Sequence, residues 1–374
     1  MKKYLSILIR FLIILTLIFI IVLIAVLKIN SDIAEVFTRT VARAYGKAAS
    51  FVSGLIPFMS LTELLFVSLF ALAILLIVFC IIDFVKGRFV KAINRILDIP
   101  LTALIVIAAY SFSCEMAYNR HKLPLPYYEQ ELNREDYVSI YNYFADDLNV
   151  CIQALSFKDN GDVEGMKLTE VTKEVKKAYE IVKDPYFSAH FGSVKPMASS
   201  FIYREFQITG VTFSPLSEAN INTMNTNVDI PFTVAHELAH TKGVMREDDA
   251  NQLAFYVCLN SESPYLRYSA YVNYFYQMRS MASSTYLTEE ELSQLHAVDI
   301  AYNKTNSYVY DYWKKHDLLT KIGDFINDLY IKSSGVDEGT NSYSGGTEYD
   351  QDPTTKKLIP SLYQKLFFAK YFNR

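Results

Sequence analysis

The chain is 374 residues long, carries a formal net charge of −4 and is 51% hydrophobic. Its length exceeds one average domain, and its hydrophobic fraction is high for a purely soluble protein. The slight negative charge gives no basic footprint, so we expect no nucleic-acid partner. The cysteines form neither a disulfide scaffold nor a C-x-x-C zinc site, and the pairing of Cys151 with Cys258 is left open.

The apolar excess is concentrated in three runs near the N-terminus. Residues 11–27 and 64–82 carry no charge, and residues 101–114 form a shorter, weaker run. The first two runs are long enough to cross a bilayer, whereas the third could instead be a buried core helix. A cleaved signal peptide is disfavoured because the first run is long and no A-x-A-like site follows it. We therefore predict an anchor region at 1–118, with spans at about 5–27, 62–83 and 99–116.

Basic residues predict how these spans are oriented. The loop between the second and third spans carries lysine or arginine at positions 86, 88, 91 and 95. Cytoplasmic loops collect lysine and arginine, so this loop and the N-terminus, with Lys2 and Lys3, are expected to face the cytoplasm. Three spans in a cytoplasmic membrane then place the C-terminal domain outside, whereas two spans would leave it inside.

The remaining residues, 119–374, have the pattern of one mainly helical α+β domain with a small sheet. Apolar residues at helical spacing predict helices at 132–155, 169–182, around Phe232, and at 248–258, 265–281 and 288–315. Residues 201–213 are rich in β-branched and aromatic side chains and predict strands. Residues 335–352 are rich in Gly, Ser, Asp and Asn, which favours a flexible loop.

The most informative motif is His236-Glu237-Leu238-Ala239-His240, in a short helix closed by Gly243. Two histidines four residues apart project from one helical face, so both imidazoles can reach one metal ion. Glu237 then lies beside the metal, placed to take a proton from a bound water. A surface helix could carry this pattern by chance, but the small and apolar neighbours indicate burial, and buried histidines and glutamates need partners.

A catalytic zinc usually takes three protein ligands and leaves a fourth position for water. Gly243 lets the chain turn sharply after His240, and an acidic cluster then opens the next helix. Such carboxylates can simply cap a helix. Glu247 is our choice for the third ligand because it follows the turn closely and has the reach to fold back. The alternatives are Asp248, Asp249 and Glu218.

The predicted chemistry is Zn²⁺-assisted hydrolysis, with Glu237 passing the water's proton to the leaving amine. A donor is needed for the oxyanion, and the candidates are Arg267, Tyr268, Tyr271 and His296. The segment 211–214 could be an edge strand that binds an extended peptide. The remaining histidines lack ligand spacing and are expected at the surface: His121, His190 and His316.

With these motifs in view, the chain resembles a bacterial family of multi-span membrane proteins with a zincin-like domain of unknown function. The resemblance lies in residues 56–58 (IPF), 210–215 (GVTFSP), 218–222 (EANIN), 231–233 (PFT), 236–243 (HELAHTKG), 246–251 (REDDAN) and 267–269 (RYS). It implies a metallopeptidase fold and an E-x-x-A-N element like that of gluzincin-like peptidases, whose first glutamate is a ligand. Carried over, that glutamate is Glu247. The short gap after His240 departs from peptidases whose glutamate lies much further on.

These observations predict a membrane-anchored zinc metallopeptidase of the H-E-x-x-H type. Its expected partners are the lipid bilayer and a protein or peptide substrate in the cell envelope. The alternative is a non-catalytic membrane sensor or scaffold with a structural or vestigial metal site. An intact Glu237 favours catalysis, because a structural site has no need of a general base.

Overall fold

The fold is mostly helical and contains one small three-stranded sheet. The structure is a computed structural model that describes residues 2–284, 287–348, 350–351 and 358–373. The helices are α1 (Lys2–Leu27), α2 (Ser31–Phe37), α3 (Arg43–Gly54), α4 (Leu61–Val85), α5 (Phe89–Cys114), α6 (Arg134–Gln153), α7 (Leu168–Ala178), α8 (Ser200–Glu205), α9 (Ile230–Thr241), α10 (Glu247–Leu259), α11 (Pro264–Asn273), α12 (Phe275–Ser280), α13 (Glu289–Ser293), α14 (Ile300–Lys315), α15 (Thr320–Ser333) and α16 (Leu362–Phe372). The strands are β1 (Ser193–Pro196), β2 (Gly210–Phe213), β3 (Glu218–Ile221), and the short pair β4 (Asp350–Gln351) and β5 (Leu358–Ile359).

Three helices, α1, α4 and α5, are long and apolar enough to cross a membrane, which confirms three candidate spans. The third begins at Phe89, well before the predicted start at residue 99. Charged residues in the first half of α5 lower its hydropathy, so the sequence pattern placed the start of the span too late. In the fold these residues pair with charged residues on neighbouring helices. Arg95 lies 2.8 Å from Asp83 on α4, and Asp98 lies 2.6 Å from Arg10 on α1. Such pairing is how ionisable groups are accommodated inside a membrane.

The three long helices alternate in direction, so one end of the bundle carries the rest of the chain. At that end Lys28, just after α1, lies 2.7 Å from Glu115, just after α5. The first loop also folds back here. Its residue Glu35 on α2 forms a buried ion pair with Arg120 at 2.8 Å, and Arg120 donates a further bond to the carbonyl of Gly243 at 2.7 Å. The loop therefore packs as part of the C-terminal region.

The sheet is joined to this end of the bundle by a fully buried ion pair. Its order is β1-β3-β2, with β1 parallel and β2 antiparallel to the central strand β3. Lys195 on β1 lies 3.4 Å from Glu218 on β3, and the two side chains are 1% and 0% exposed. The ammonium of Lys195 also donates to three carbonyls at and after the end of α3, those of Ser53, Ile56 and Met59. Positive charge at a helix C-terminus is favourable.

Glu218 completes the joint from the other side. Its carboxylate accepts the backbone N–H of Thr62 at 2.8 Å and the hydroxyl of Thr62 at 2.7 Å, in the first turn of α4. A carboxylate at a helix N-terminus meets unpaired N–H groups and the positive end of the helix dipole. Glu218 is therefore hydrogen-bonded to the start of the second span.

Several sequence predictions need correction. Residues 200–205 form a helix rather than a strand, and within the predicted 201–213 segment only residues 210–213 are strand. The segments predicted as single helices at 265–281 and 288–315 are each split in two. Strands β1 and β3 and helices α15 and α16 were not predicted. In the loop predicted to be flexible, residues 339–344 form a 3-10 helix, while residues 349 and 352 lie outside the described residues.

The buried pair gives a stability prediction. Lys195→Met removes the cation and leaves the Glu218 carboxylate without its charge partner in the interior, which typically costs about 3–5 kcal/mol. We expect a markedly lower midpoint of thermal unfolding for the full chain in detergent. The matched control is Lys177→Met, which breaks an exposed pair with Glu262 and should leave the midpoint nearly unchanged. Equal unfolding midpoints for the two variants would contradict a stabilising role for the buried pair of Lys195 and Glu218.

Candidate metal centre

Helix α9 carries both histidines of the motif and is buried along most of its length. Pro231 occupies its first turn, where a missing N–H costs nothing, and residues 231–240 are all buried. The helix ends before Gly243, whose φ of +86° allows the chain to reverse. After this turn α10 begins at Glu247 and packs along α9. The reversal brings the first residue of α10 back over the histidine face of α9.

Three potential ligand atoms converge at this point. The Nε2 atom of His236 lies 3.1 Å from Nε2 of His240 and 3.1 Å from Oε2 of Glu247. Nε2 of His240 lies 3.5 Å from the same oxygen. Within the described part of the chain, these residues form the one group of three or more His, Cys, Asp or Glu whose candidate ligand atoms lie within 4.8 Å of one another. The three side chains are 7–11% exposed.

The surroundings orient one imidazole. Nδ1 of His240 lies 2.8 Å from the carbonyl of Val244, in the turn that follows α9. A carbonyl can only accept, so Nδ1 carries the proton and the lone pair of a neutral ring lies on Nε2, toward the cluster. Nδ1 of His236 is buried and has no hydrogen-bond partner among the described residues.

The charges in this cluster favour a cation. Burial disfavours the charged forms, yet the pKa of Glu247 is lowered because both histidines stabilise its negative charge. Burial likewise opposes a charged His240, but the Glu247 carboxylate raises its pKa to about 9. The buried Glu247 carboxylate thus stabilises one positive charge beside it. Without a metal ion, a protonated histidine supplies that charge. Two imidazole nitrogens and a carboxylate oxygen are the donor types that zinc takes in proteins.

Glu237 lies on the side of α9 that faces the sheet. The hydroxyl of Thr212, on β2, donates to Oε2 of Glu237 at 2.7 Å. A Cβ on Gly210 would come within 2.6 Å of Oε1, so only glycine leaves room for this carboxylate. Burial raises the pKa of Glu237, against the opposing effect of the two histidines. Since β2 is at the edge of the sheet, as predicted for residues 211–214, the carboxylate lies beside an edge strand.

The other candidate ligands lie apart from the cluster or are otherwise engaged. Asp248 pairs with Arg246 at 3.2 Å, and Asp249 lies 3.9 Å from the same guanidinium. Glu218 is bound to the start of α4. Of the four acidic residues considered from the sequence, the structure brings Glu247 to the two histidines.

The four residues suggested as oxyanion donors lie elsewhere. Tyr268 donates to Thr305 and Tyr271 to Asp147, both in the core, while Arg267 pairs with Asp147 and His296 with Asp146. Tyr343, which the sequence did not single out, lies against α10, where the side-chain amide of Asn251 donates to its backbone carbonyl at 3.0 Å. Desolvation, together with the negative charges of Glu247 and Glu237, raises the pKa of Tyr343 well above its usual value. The Tyr343 hydroxyl therefore stays protonated, and it accepts a hydrogen bond from the Asn327 amide at 3.3 Å.

The remaining histidines and cysteines can also be placed. His121 is exposed beside Asp32, as expected. His316 is largely buried against Glu205, and His190 is half-buried, where burial lowers its pKa to about 4, so the surface prediction was wrong for these two. Cys151 and Cys258 are buried free thiols.

The Thr212 contact can be tested. Thr212→Val removes the hydroxyl that satisfies the buried Glu237 carboxylate, and an unsatisfied buried group costs about 1–3 kcal/mol. We expect a lower midpoint of thermal unfolding. In the control, Thr172→Val removes only a hydroxyl that bonds the carbonyl of Leu168 within its own helix, and the midpoint should barely move. A Thr212→Val variant as stable as the control would count against the contact.

Asp249 gives a pH-dependent prediction. Desolvation and the neighbouring Asp248 raise the pKa of Asp249 to about 7, whereas an unfolded aspartate titrates near pH ~4. The folded state then binds the proton more tightly, so this group destabilises the fold as the pH rises from about 4 to about 7. Asp249→Asn should therefore unfold at a higher temperature than the parent at pH 8, and the two should converge near pH 4. A difference that is constant with pH would contradict this.

Comparison with known proteins identifies a family. No curated protein and no solved structure matches the chain. One family model, described as "Protein of unknown function (DUF3810)", matches residues 37–349. The matched range includes α4, α5, the sheet and the His236, His240 and Glu247 cluster. The chain therefore belongs to the DUF3810 family of proteins of unknown function.

Proposed function

We propose that the protein is a membrane-anchored zinc metallopeptidase with a zincin-like domain. The observation that carries the proposal is the convergence of His236, His240 and Glu247, whose candidate ligand atoms lie within 4.8 Å of one another. The carboxylate of Glu237 projects from the same helix and belongs to none of these three contacts. A site with three ligands and a spare carboxylate is arranged for hydrolysis, because a structural site needs no such base.

His236 and His240 would hold the metal through Nε2, and Glu247 through its carboxylate. This donor set suits zinc, and three protein ligands leave a position for water or substrate. When bound, zinc would polarise the substrate carbonyl and acidify water. Chelation would also replace the histidine proton as the charge partner of Glu247, so metal binding would be coupled to proton release.

The chain's own residues supply the remaining steps. Glu237 accepts a proton from the attacking water and later gives it to the nitrogen of the leaving amine. Its raised pKa suits a group that must both take and return a proton. Thr212 holds one carboxylate oxygen by a hydrogen bond of 2.7 Å and fixes the orientation of the base. The protonated Tyr343 is the candidate donor to negative charge that develops on the carbonyl oxygen.

The edge strand β2 is the candidate substrate-binding element. It pairs with β3 along one side only, and its Gly210 and Thr212 lie against Glu237. An extended peptide that pairs with the free side of β2 would run past the catalytic carboxylate. The free side of β2 therefore supports a protein or peptide substrate. The basic residues in the loop between α4 and α5 support an N-terminus inside the cell, which would place cleavage outside the cytoplasmic membrane, in the cell envelope.

Metal analysis of the purified full chain in detergent tests the site directly. We expect one zinc per chain in the parent and substoichiometric zinc in His236→Ala, His240→Ala and Glu247→Ala. Glu237→Gln and the matched control Asp248→Asn should keep the metal, since neither side chain is a proposed ligand. Absence of zinc from the parent would overturn the proposal. Loss of zinc from Asp248→Asn, with retention in Glu247→Ala, would reassign the third ligand.

Catalysis is tested separately in cells that carry either the parent or Glu237→Gln. Both proteins should bind zinc, so comparative proteomics of the cell envelope reports the missing base alone. At least one envelope protein should accumulate uncleaved with Glu237→Gln. An unchanged set of envelope proteins, with zinc retained, would favour a sensor or scaffold.

A further inference from the structure

Helix α15 presents an apolar face that no described residue covers. Its side chains Ile322, Phe325, Ile326 and Leu329 recur at spacings of three and four, which places them on one face of the helix. They are 54%, 71%, 58% and 62% exposed. Phe70, in the middle of the second span, is 70% exposed. The apolar side chains of α15 are therefore exposed to about the same extent as Phe70, a side chain on a predicted lipid-facing surface.

The rest of α15 divides into two further sectors. Gly323 and Ile331 are buried against the protein, and a Cβ on Gly323 would lie 3.0 Å from the ring of Phe206. Charged residues form the third sector, at positions 321, 324, 328 and 332. A helix with one protein-facing, one charged and one exposed apolar sector has the pattern of a helix that lies in the plane of a membrane interface.

Both ends of α15 are attached to the ends of the membrane helices. At its C-terminus the ammonium of Lys28, which follows α1, donates to the carbonyl of Ser334 at 3.1 Å. Tyr330 hydrogen-bonds Tyr110, in the last turn of α5. At its N-terminus Leu319 donates to the carbonyl of Glu205, the last residue of α8, at 2.9 Å. Helix α8 is in turn held to α4, because Glu63 accepts the N–H of Ser199 at 3.0 Å.

Other exposed apolar residues lie on segments that are attached to the same end of the bundle. We name the set the apolar collar, and it comprises Phe51, Val52, Leu55 and Phe58 after and within α3, Phe201 and Ile202 on α8, and Ile322, Phe325, Ile326 and Leu329 on α15. All are 43–78% exposed. Each contributing segment is bonded to the sheet or to a span end at the same end of the bundle.

We propose that the apolar collar is a lipid-binding surface, with α15 lying in the membrane interface on the side of the soluble domain. The bilayer is the occupant because the segments that carry the collar are hydrogen-bonded, directly or through the sheet, to the ends of the three apolar helices. Exposed apolar surface of this extent on a soluble face would instead mark a protein interface. This proposal concerns the seating of the domain and does not depend on zinc or on catalysis.

Spin labels on the full chain in lipid nanodiscs test this seating. Phe325→Cys places a label on the apolar sector, and Asp324→Cys places the matched control on the charged sector of the same helix. Phe70→Cys provides the lipid reference, and the parent chain provides the background from native thiols. We expect the label at residue 325 to collide several-fold more with oxygen, and several-fold less with a water-soluble nickel chelate, than the label at residue 324. Its values should approach those at residue 70.

Two outcomes would overturn the proposal. Equal nickel accessibility at residues 325 and 324 would show that the sector faces water. Shielding of residue 325 from both reagents, with dipolar broadening that grows as more chains occupy each nanodisc, would show that a second copy covers it. Because folding could be disturbed at one position, Ile322→Cys and Leu329→Cys repeat the measurement on the same sector and must agree with Phe325→Cys.

Discussion

The buried pair of Lys195 and Glu218 joins the two parts of the molecule. Each member bonds the other across neighbouring strands and also satisfies the end of a helix, α3 for the lysine and α4 for the glutamate. Because both groups are fully buried, water cannot solvate either charge in the folded state, and each depends on its partner and on its helix end for compensation. The sheet is therefore fixed in position relative to the end of the second span. Since β2 lies next to β3 and carries Thr212, the position of Glu237 follows from the same joint.

The proposed ligand cluster depends on a short connection between two helices. Only a turn separates His240 from Glu247, and two features set its path. Gly243 adopts a positive φ, and its carbonyl is held by Arg120, which is itself paired with Glu35 on α2. Met245, in the same turn, packs with Cys114, Tyr118 and Ile331 from the end of α5 and from α15. The fold therefore positions Glu247 through contacts with the first loop, the third span and α15.

How much of this could be predicted from sequence depends on how local each signal is. The His236, Glu237 and His240 pattern is contained in five residues, so the two histidines were predictable. Glu247 was one of four acidic residues left open by the sequence, and it is the fold that brings it to the histidines. The first two spans were predictable because they lack charge. The start of α5 was missed because Arg95 and Asp98 lower its hydropathy, and their partners, Asp83 and Arg10, lie elsewhere in the chain. The role of Glu218 was likewise out of reach, since its partners are distant in sequence.

The missed elements have a common physical cause. Strands β1 and β3 are four residues long and β3 is buried throughout, so neither shows the alternation that marks a half-buried strand. Helix α15 has three sectors rather than two, and its apolar side chains lie outside the protein core. In a soluble protein, apolar periodicity is taken to mark the side of a helix that packs in the core. An exposed apolar side fits a helix that lies in a membrane interface. Tyr343 was missed because tyrosine is abundant in this chain and only the fold shows that this one lies against α10.

These contacts together place the candidate site close to the end of the bundle of three apolar helices. Met245 belongs to the same buried cluster as Cys114, at the end of α5, and Ile331, in α15, and it lies in the turn that connects the proposed ligands. If the apolar collar lies in the membrane interface, this turn lies close to the interface as well. In the proposed peptidase, a peptide paired with β2 would then lie near the bilayer surface, since the sheet is bonded to α3 and to the start of α4. For the proposed peptidase, we therefore propose substrates that are tethered to the membrane or lie next to it, in preference to freely diffusing peptides.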